Sequence, residues 1–252
     1  MLKRRIVPVQ LLMGGRLVKP TRFDTWRDVG DPVKSSKVYS DQTADELVFL
    51  NIERGKRTIE PLLTLIHAVS EVCFMPLSLG GGIMSFDDAR RLILGGADKV
   101  VLNSLCYREP QTVRAISEAF GAQAVVASVD VRGEHGAWRC FSDCGRAEEA
   151  VELGRHLDAL AAMGAGEVLI TSIDREGTME GYDLELLAHV AGRTSLPVIG
   201  HGGAGTYEHM KQAFLETSVD ALACGSLFNF GDNNPLRAKA HLANAGIAFK
   251  VV

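Results

Sequence analysis

Two glycine-rich segments stand where a small anion could be held. Gly81 and Gly82 follow the third of a series of short apolar runs, and Gly202 and Gly203 follow the seventh. Glycine lets a backbone approach an anion closely, and the N–H groups at a helix start favour negative charge. We predict two phosphate sites, although the glycines could instead serve only tight turns. The strand ends that could add donors carry Asn103, Ser104, Gly225 and Ser226.

Carboxylates follow two further apolar runs. Asp130 ends the fifth run and Asp174 follows the sixth. An aspartate at the rim of a site can act as a general acid or base. The alternative is a loop cap or an ion pair with a neighbouring arginine. Lys19, in the loop after the first run, could clamp an anion or be a solvated lysine.

Four charged residues each begin an apolar run. They are Arg5, Glu46, Lys99 and Glu167, two basic and two acidic. If these runs were strands of one barrel, their starts would meet at one mouth, where the four could form a salt-bridged ring. The alternative is that each charge faces solvent independently.

Eight apolar runs alternate with longer amphipathic stretches, which is typical of buried parallel strands separated by helices. The pattern predicts a single-domain (β/α)₈ barrel over residues 1–252, a length typical of that fold. A doubly wound sheet is the second possibility, but the first run lacks a G-x-G-x-x-G turn. The runs begin at Ile6, Leu47, Met75, Lys99, Ala124, Glu167, Leu196 and Val219, and the helices are predicted over 58–72, 85–95, 110–121, 146–163, 183–193 and 206–217.

An internal repeat supports eight strands. Glu167 lies 121 residues after Glu46, and Gly203 lies 121 residues after Gly82. Such an offset, near half the chain, indicates two fused half-barrels. The halves would span approximately 1–121 and 122–252.

Composition narrows the class of protein. The chain has 252 residues and a formal net charge of −4, with no basic run that would suggest nucleic acid. No apolar stretch approaches 18 residues, so we expect no membrane span. The five cysteines are odd in number and scattered. We therefore expect reduced thiols in a cytoplasmic protein. Cys140 and Cys144 lack a zinc-site spacing, and we expect neither a metal ion nor a cofactor.

Together these residues resemble the cyclase subunit family of imidazole glycerol phosphate synthase, almost from end to end. The matching segments are RIVP (5–8), GRLVK (15–19), VGDPV (29–33), ADELVFL (44–50), PLSLGGGI (76–83), DDARRLILGGADKV (87–100), LNS (102–104), DREGTMEGYDLEL (174–186) and GGAG (202–205).

The resemblance implies a fold, a partner and a reaction. The family fold is a (β/α)₈ barrel, and a glutaminase subunit docks on its N-terminal face. Ammonia from glutamine passes through the barrel to a bisphosphorylated ribulosyl nucleotide, which is cyclised and cleaved. The four charged residues match the family's ammonia gate, and the two glycine loops match its two phosphate sites.

The chain departs from the family at the opposite, catalytic face. Leu11 stands where the family has the first-strand aspartate that works with the fifth-strand aspartate, here Asp130. Leucine cannot transfer a proton, and neighbouring Gln10 points the other way in a strand. Asn51 replaces a second aspartate, and His201 replaces the serine before the seventh-strand glycines. The segment 141–149 also lacks an expected Thr-Gly. Enzymatic activity is therefore an open question.

Three functions remain possible. The chain resembles family paralogues that work with surface-sugar amidotransferases, which implies a relay of ammonia for the amidination of an N-acetyl sugar in lipopolysaccharide or flagellar glycan. It could instead be an authentic histidine-pathway cyclase with a rearranged acid–base pair. It could also be a binding-only activator of the glutaminase that senses a phosphorylated metabolite.

Overall fold

A computed structural model describes residues 3–53, 55, 58–133 and 137–249 of the chain. Within these ranges the strands are β1 (Arg5–Met13), β2 (Arg16–Pro20), β3 (Trp26–Gly30), β4 (Leu47–Asn51), β5 (Leu77–Gly80), β6 (Lys99–Leu102), β7 (Val125–Arg132), β8 (Arg139–Ser142), β9 (Ala147–Glu152), β10 (Glu167–Ser172), β11 (Val198–His201) and β12 (Ala221–Cys224). The helices are α1 (Pro32–Asp41), α2 (Glu60–Val69), α3 (Phe86–Leu94), α4 (Ser104–Arg108), α5 (Pro110–Phe120), α6 (Leu153–Ala162), α7 (Leu184–Arg193), α8 (Tyr207–Glu216), α9 (Ser226–Asn229) and α10 (Pro235–Asn244).

Eight parallel strands close into a barrel. Their order is β10-β11-β12-β1-β4-β5-β6-β7, and β7 pairs with β10 to complete the circle. A doubly wound sheet would leave two edges unpaired, whereas here both ends of the series are joined. The predicted (β/α)₈ barrel is confirmed, and each of the eight apolar runs overlaps one of its strands.

The barrel strands separate two apolar layers. On β1, Val7, Val9 and Leu11 face the lumen, while Ile6 and Leu12 pack toward the surrounding helices. This alternation follows from the period of two in a strand. Because both faces are buried, the strands read as continuous apolar runs in the sequence.

Two antiparallel hairpins extend barrel strands at their C-terminal ends. Strands β2 and β3 follow β1, and β8 and β9 follow β7. They correct one prediction, because the helix expected over 146–163 begins only at Leu153. Residues 147–152 alternate between half-buried and exposed, which is the signature of a strand with one covered face.

The hairpins meet over the mouth of the barrel. Phe23, between β2 and β3, lies against Gly145, between β8 and β9, so closely that a β-carbon at Gly145 would lie 2.9 Å from the Phe23 ring. Each hairpin follows the first strand of one proposed half-barrel. The division into halves near residue 121 remains a prediction.

Polar caps fix where several helices begin. Ser85 accepts a hydrogen bond from Asp88 N at the start of α3, and Thr206 accepts one from His209 N at the start of α8, both at 3.1 Å. These are the caps that serine and threonine make at helix N-termini. Within the described ranges, no helix has both the length and the apolar character that a membrane crossing requires.

Candidate functional site

A cavity of about 460 Å³ opens at the C-terminal ends of the barrel strands. Leu11, Leu50 and Val101 give part of its lining an apolar character. Polar groups complete the lining, among them Asp130 from β7 and Thr171 from β10. The volume suits a small-molecule ligand.

Asp130, at the end of the barrel strand β7, is a carboxylate of this cavity whose acidity is strongly perturbed. Burial raises the pKa of Asp130 to about 7, an effect that a hydrogen bond from Thr171 opposes and the charge of Glu176 reinforces. Asn103 Nδ2 donates to Asp130 Oδ2 at 3.1 Å. A carboxyl group with a pKa near 7 can both accept and release a proton at neutral pH, as general acid–base catalysis requires.

Leu11 lines the same cavity as Asp130. It is paired in register with Leu50 on β4, and both project into the lumen. Gln10, one residue earlier, is only 1 % exposed and lies on the other face of the strand, where it cannot reach the cavity. The part of β1 that lines the cavity therefore supplies an apolar surface and no titratable group to the site that contains Asp130.

The first cradle is defined as Gly81, Gly82, Asn103 and Ser104, and all four line the 460 Å³ cavity. A β-carbon at Gly81 would lie 2.0 Å from Asn51 O, and one at Gly82 would lie 2.3 Å from Thr58 O. These close contacts with neighbouring backbone atoms require glycine at both positions, so the turn itself accounts for the two glycines. The cavity above the turn is what makes the cradle available to a ligand.

The second cradle is defined as Gly202, Gly203, Gly225 and Ser226. Its residues surround a separate cavity of only about 10 Å³, which Glu176 and His201 also line. Room of that size holds at most one water. The two cradles, which the sequence repeat makes equivalent, are therefore unlike in the folded chain.

Lys19 lies at the second cradle, on strand β2 and not in a loop as the sequence predicted. Its ammonium is 3.4 Å from Glu176 Oε1, and a β-carbon at Gly225 would lie 1.8 Å from Lys19 Nζ. Both charged side chains are almost fully buried. Lys19, predicted as an anion clamp, thus has a carboxylate of the protein itself as its counter-ion.

His201 completes this cluster. Its Nε2 lies 3.4 Å from Glu176 Oε2, and its Nδ1 lies 3.2 Å from Thr171 Oγ1. Burial lowers the pKa of His201, although the Glu176 carboxylate opposes this. Burial disfavours ionisation of Glu176, but His201 and Lys19 hold the pKa of Glu176 below its usual value. The cluster thus combines the Lys19–Glu176 ion pair with the His201 imidazole on the other oxygen of the same carboxylate.

Asp174 lies away from the 460 Å³ cavity. It is exposed, and its carboxylate accepts a hydrogen bond from Gly133 N at 3.0 Å. It lines a shallower cleft with Arg22, Arg132 and Arg146. The buried carboxylate of this loop is Glu176, two residues later, which sequence reasoning missed. The loop after β10 is irregular, so no periodic signal marks which of its acids turns inward.

The four predicted mouth residues come together at the N-terminal end of the lumen as a charged ring (Arg5, Glu46, Lys99 and Glu167). Arg5 lies 3.2 Å from Glu46 and 3.1 Å from Glu167. Lys99 lies 2.8 Å from Glu46 and 3.2 Å from Glu167. Ser78 Oγ also donates to Glu46 at 2.5 Å. Each cation contacts both anions, so the ring is closed and formally neutral.

No group of three or more metal-ligating side chains occurs in the described parts of the chain, and Cys140 and Cys144 are both thiols without a disulfide.

Comparison of the sequence with known proteins shows which family the chain is similar to. The family model described as "Histidine biosynthesis protein" matches residues 5–234.

The chain belongs to the histidine biosynthesis protein family. Two curated family members, each named imidazole glycerol phosphate synthase subunit HisF, come from Caulobacter vibrioides strains NA1000 / CB15N and ATCC 19089 / CIP 103742 / CB 15. Each is 39% identical over 253 residues, covering 100% of this chain and 97% of the relative. The resemblance to the cyclase subunit, drawn from the sequence motifs, is confirmed.

Proposed function

We propose that this protein receives ammonia from a glutaminase subunit on the N-terminal face of its barrel and relays it through the lumen. The ammonia would serve the amidination of an N-acetyl sugar in surface polysaccharide biosynthesis, such as lipopolysaccharide. The family membership supports the glutaminase partner, since the relatives are named as subunits of a synthase. A sugar amidotransferase would be the third component.

The charged ring and the lumen behind it support an ammonia path. The ring closes the N-terminal mouth with mutually paired charges. Behind it the lumen is lined by apolar side chains, including Val7, Val48 and Leu169. An apolar passage strongly disfavours an ion and tolerates a small neutral molecule. It would therefore carry ammonia and exclude ammonium.

The observation that carries the proposal is Leu11 in the cavity that contains Asp130. Cyclisation in the family, as the resemblance implies, needs a carboxylate from each of these two strands. One positioned acid or base contributes about 10²–10⁴ in rate. A leucine in the first strand would remove most of the cyclase activity and leave the ammonia path intact.

The setting of the complex is part of the proposal. We place it in the cytoplasm, which accords with five cysteines that form no disulfide in the structure. A phosphorylated small molecule would bind in the 460 Å³ cavity. We propose no nucleic-acid or membrane partner, and no metal or cofactor.

An authentic histidine-biosynthesis cyclase is the second candidate. Asp130 favours it, because burial raises the pKa of this cavity carboxylate to about 7. A carboxyl group in that range could serve as both acid and base if substrate or water replaced the first-strand partner.

Steady-state cyclase turnover with the family's bisphosphorylated nucleotide and ammonium separates the two candidates. We expect turnover at least about 10²-fold below ordinary enzyme rates of about 10 per second. Leu11→Asp should raise it, whereas Leu50→Asp, a carboxylate on the neighbouring strand of the same cavity, should not. Ordinary turnover by the unaltered protein, or growth of a cyclase-deficient auxotroph on minimal medium, would establish the cyclase instead.

The third candidate function, a binding-only activator of the glutaminase, differs from the proposed relay in that no ammonia would pass through the barrel. If ligand stimulated the glutaminase while Lys99→Ala released no additional ammonia to solvent, the barrel would be a regulator and not a conduit.

A further inference from the structure

A line of polar contacts leads from the 460 Å³ cavity into the wall of the barrel. It begins at Asp130 on β7, which is paired in register with Thr171 on β10 and accepts a hydrogen bond from the Thr171 hydroxyl. The same hydroxyl lies 3.2 Å from Nδ1 of His201 on β11. All three residues line the cavity. One hydroxyl therefore stands between a carboxyl group and an imidazole, on three adjacent strands.

Glu176 stands at the far end of this line. Its Oε2 lies 3.4 Å from His201 Nε2, and its Oε1 lies 3.4 Å from the Lys19 ammonium. His201 Nε2 makes no hydrogen bond with the described residues, so its contact with Glu176 is electrostatic. A carboxylate beside Nε2 favours a proton on that nitrogen, which leaves Nδ1 as the acceptor that faces Thr171.

The Thr171 hydroxyl has a single hydrogen, so the line can hold a proton at either end. In one arrangement Asp130 carries the proton and donates to Thr171 Oγ1, while the Thr171 hydrogen points to His201 Nδ1. In the other arrangement the Thr171 hydrogen points to an ionised Asp130, and the hydroxyl oxygen accepts a hydrogen bond from a protonated His201 Nδ1. The imidazolium of this second arrangement lies beside the Glu176 carboxylate.

The surroundings suit each group to its part. Burial raises the pKa of Asp130 to about 7, so its carboxyl group can hold and release a proton near neutral pH. Burial lowers the pKa of His201, which favours an unprotonated nitrogen before the transfer, whereas the Glu176 carboxylate stabilises the imidazolium after it. Lys19 on β2 also lowers the pKa of His201, and the thiol of Cys224 on β12 stays neutral because burial raises its pKa.

We propose that Asp130, Thr171 and His201 form a proton relay, in which Asp130 takes a proton from a ligand in the cavity and passes it on through Thr171. An N–H or O–H bond of the ligand breaks, and an O–H bond forms on Asp130. As that bond breaks in turn, Thr171 Oγ1 receives the proton and releases its own to His201 Nδ1. Asp130 is then ionised again, and His201 is an imidazolium beside Glu176.

The proton relay gives the cavity a second proton acceptor, whereas Leu11 supplies none. As the resemblance implies, family members have serine at the position of His201, and a serine hydroxyl does not titrate near neutral pH. Asp130 is the group that meets the ligand, and Thr171 and His201 act behind it. The inference goes beyond the proposed function, because it concerns proton transfer within the cavity and does not depend on which acceptor the ammonia reaches.

Nuclear magnetic resonance of the full-length protein tests the proton relay without any ligand. Isotope labels in the aspartate carboxyl groups and the histidine rings report the two ends, and Asp130→Asn and His201→Gln assign their signals. We expect the His201 ring nitrogens and the Asp130 carboxyl group to titrate with one common midpoint, within about 0.3 pH unit, because the two ends share one proton. Ring nitrogens that stay unchanged through the Asp130 midpoint would overturn the proposal.

Thr171 supplies a matched pair of variants. Thr171→Val keeps the branched shape and removes the hydroxyl, so the Asp130 midpoint should rise by about one pH unit as the carboxylate loses a donor, and the common midpoint should disappear. Thr171→Ser keeps the hydroxyl and should retain the common midpoint. Ser128→Ala, which removes another hydroxyl from the same cavity, should retain it too. A common midpoint that persisted in Thr171→Val would mean that the hydroxyl does not join the two groups, and the proposal would be wrong.

The wild-type titration stands without the variants, so a variant that failed to fold would not remove the test. Circular dichroism establishes which variants are folded. None of these measurements involves ammonia or a glutaminase. A negative result would therefore exclude the proton relay and leave the ammonia path untouched, whereas failure of the ammonia path would leave the proton relay in place.

Discussion

Asp130, which is half-buried, and Glu176, which is buried, are two carboxylates with opposite electrostatic settings. Burial raises the pKa of Asp130, which has an amide and a hydroxyl as its hydrogen-bonding neighbours. Lys19 and His201 hold the pKa of Glu176 low despite its burial. The first carboxylate is suited to proton transfer near neutral pH, whereas the second serves as a fixed counter-ion. Environment, and not residue type, separates the two roles.

Asp130 should make stability depend on pH. Its pKa rises from 3.8 to about 7 on folding, so between these values the folded state binds a proton that the unfolded state does not. Stability therefore falls as pH rises from about 4 to about 7, by up to about 4 kcal/mol, and this contribution is constant above that range. Urea unfolding of wild type and Asp130→Asn at pH 4 to 8 should show the difference between them changing over this interval.

Asp174→Asn is the control for that experiment, because Asp174 is an exposed carboxylate on the same face of the barrel. A parallel pH dependence in the two variants would mean that Asp130 is not the group responsible.

The starts of α3 and α8 keep the same chemistry across the repeat. Ser85 caps α3 and Thr206, 121 residues later, caps α8; each accepts a hydrogen bond from the backbone N–H three residues later at 3.1 Å. Each cap follows a glycine cradle. The same local device thus sets the helix direction beside both cradles, although the cradles themselves differ.

Removing either cap should cost the same free energy. Ser85→Ala and Thr206→Ala should each lower the free energy of unfolding by about 1 kcal/mol. The double variant should lose about the sum, because the caps are on separate helices with no shared partner. Thr206→Ser, which keeps the hydroxyl, should stay near wild type in chemical denaturation. A loss in Thr206→Ser equal to that in Thr206→Ala would show that packing of the methyl group, and not the cap, is what matters.

At the scale of the whole molecule the barrel has two different ends. The N-terminal mouth is closed by the charged ring, and the C-terminal end holds the 460 Å³ cavity beneath two hairpins. The packed apolar side chains of the lumen lie between them. This arrangement places the proposed ammonia source and the proposed ligand at opposite ends of the barrel.

Opening the charged ring should lower the stability of the protein and also impair the transfer of ammonia. Lys99→Ala removes two of the ring's contacts and leaves Glu46, whose side chain is 3 % exposed, with Arg5 as its remaining ion-pair partner in the ring. We expect a loss of about 1–3 kcal/mol, since a buried charge loses a donor. In complex with the glutaminase, more ammonia should escape to solvent, measured by a coupled glutamate dehydrogenase assay.

Lys37→Ala provides the comparison, since Lys37 and Asp41 form an exposed pair on α1. It should cost no more than about 0.5 kcal/mol and release no ammonia. Equal effects of the two variants would argue against a closed ring as the barrier.

The sequence by itself determined the barrel, because eight strands buried on both faces must be continuously apolar and the helices between them must be amphipathic. It also indicated the four charged residues that meet as the ring, and it placed the first residue of three of the eight barrel strands, at Leu47, Lys99 and Glu167. The other five strand starts differ from the predicted runs by one or two residues. It did not reveal the strand character of 147–152, where short-range alternation competes with a helical composition.

Only the tertiary structure decided whether residues at corresponding positions of the repeat have similar surroundings in the fold. Lys19 and Glu176 are 157 residues apart in the chain, and their pairing at the second cradle depends on strand β2 and on the loop after β10, which no local pattern relates. The same holds for the inward turn of Glu176 in place of Asp174, and for the pKa of Asp130, which follows from the burial that surrounding strands impose. The period of apolar residues in the sequence indicates which face of a strand each residue occupies. Which side chains fill a cavity depends instead on segments that are far apart in the chain.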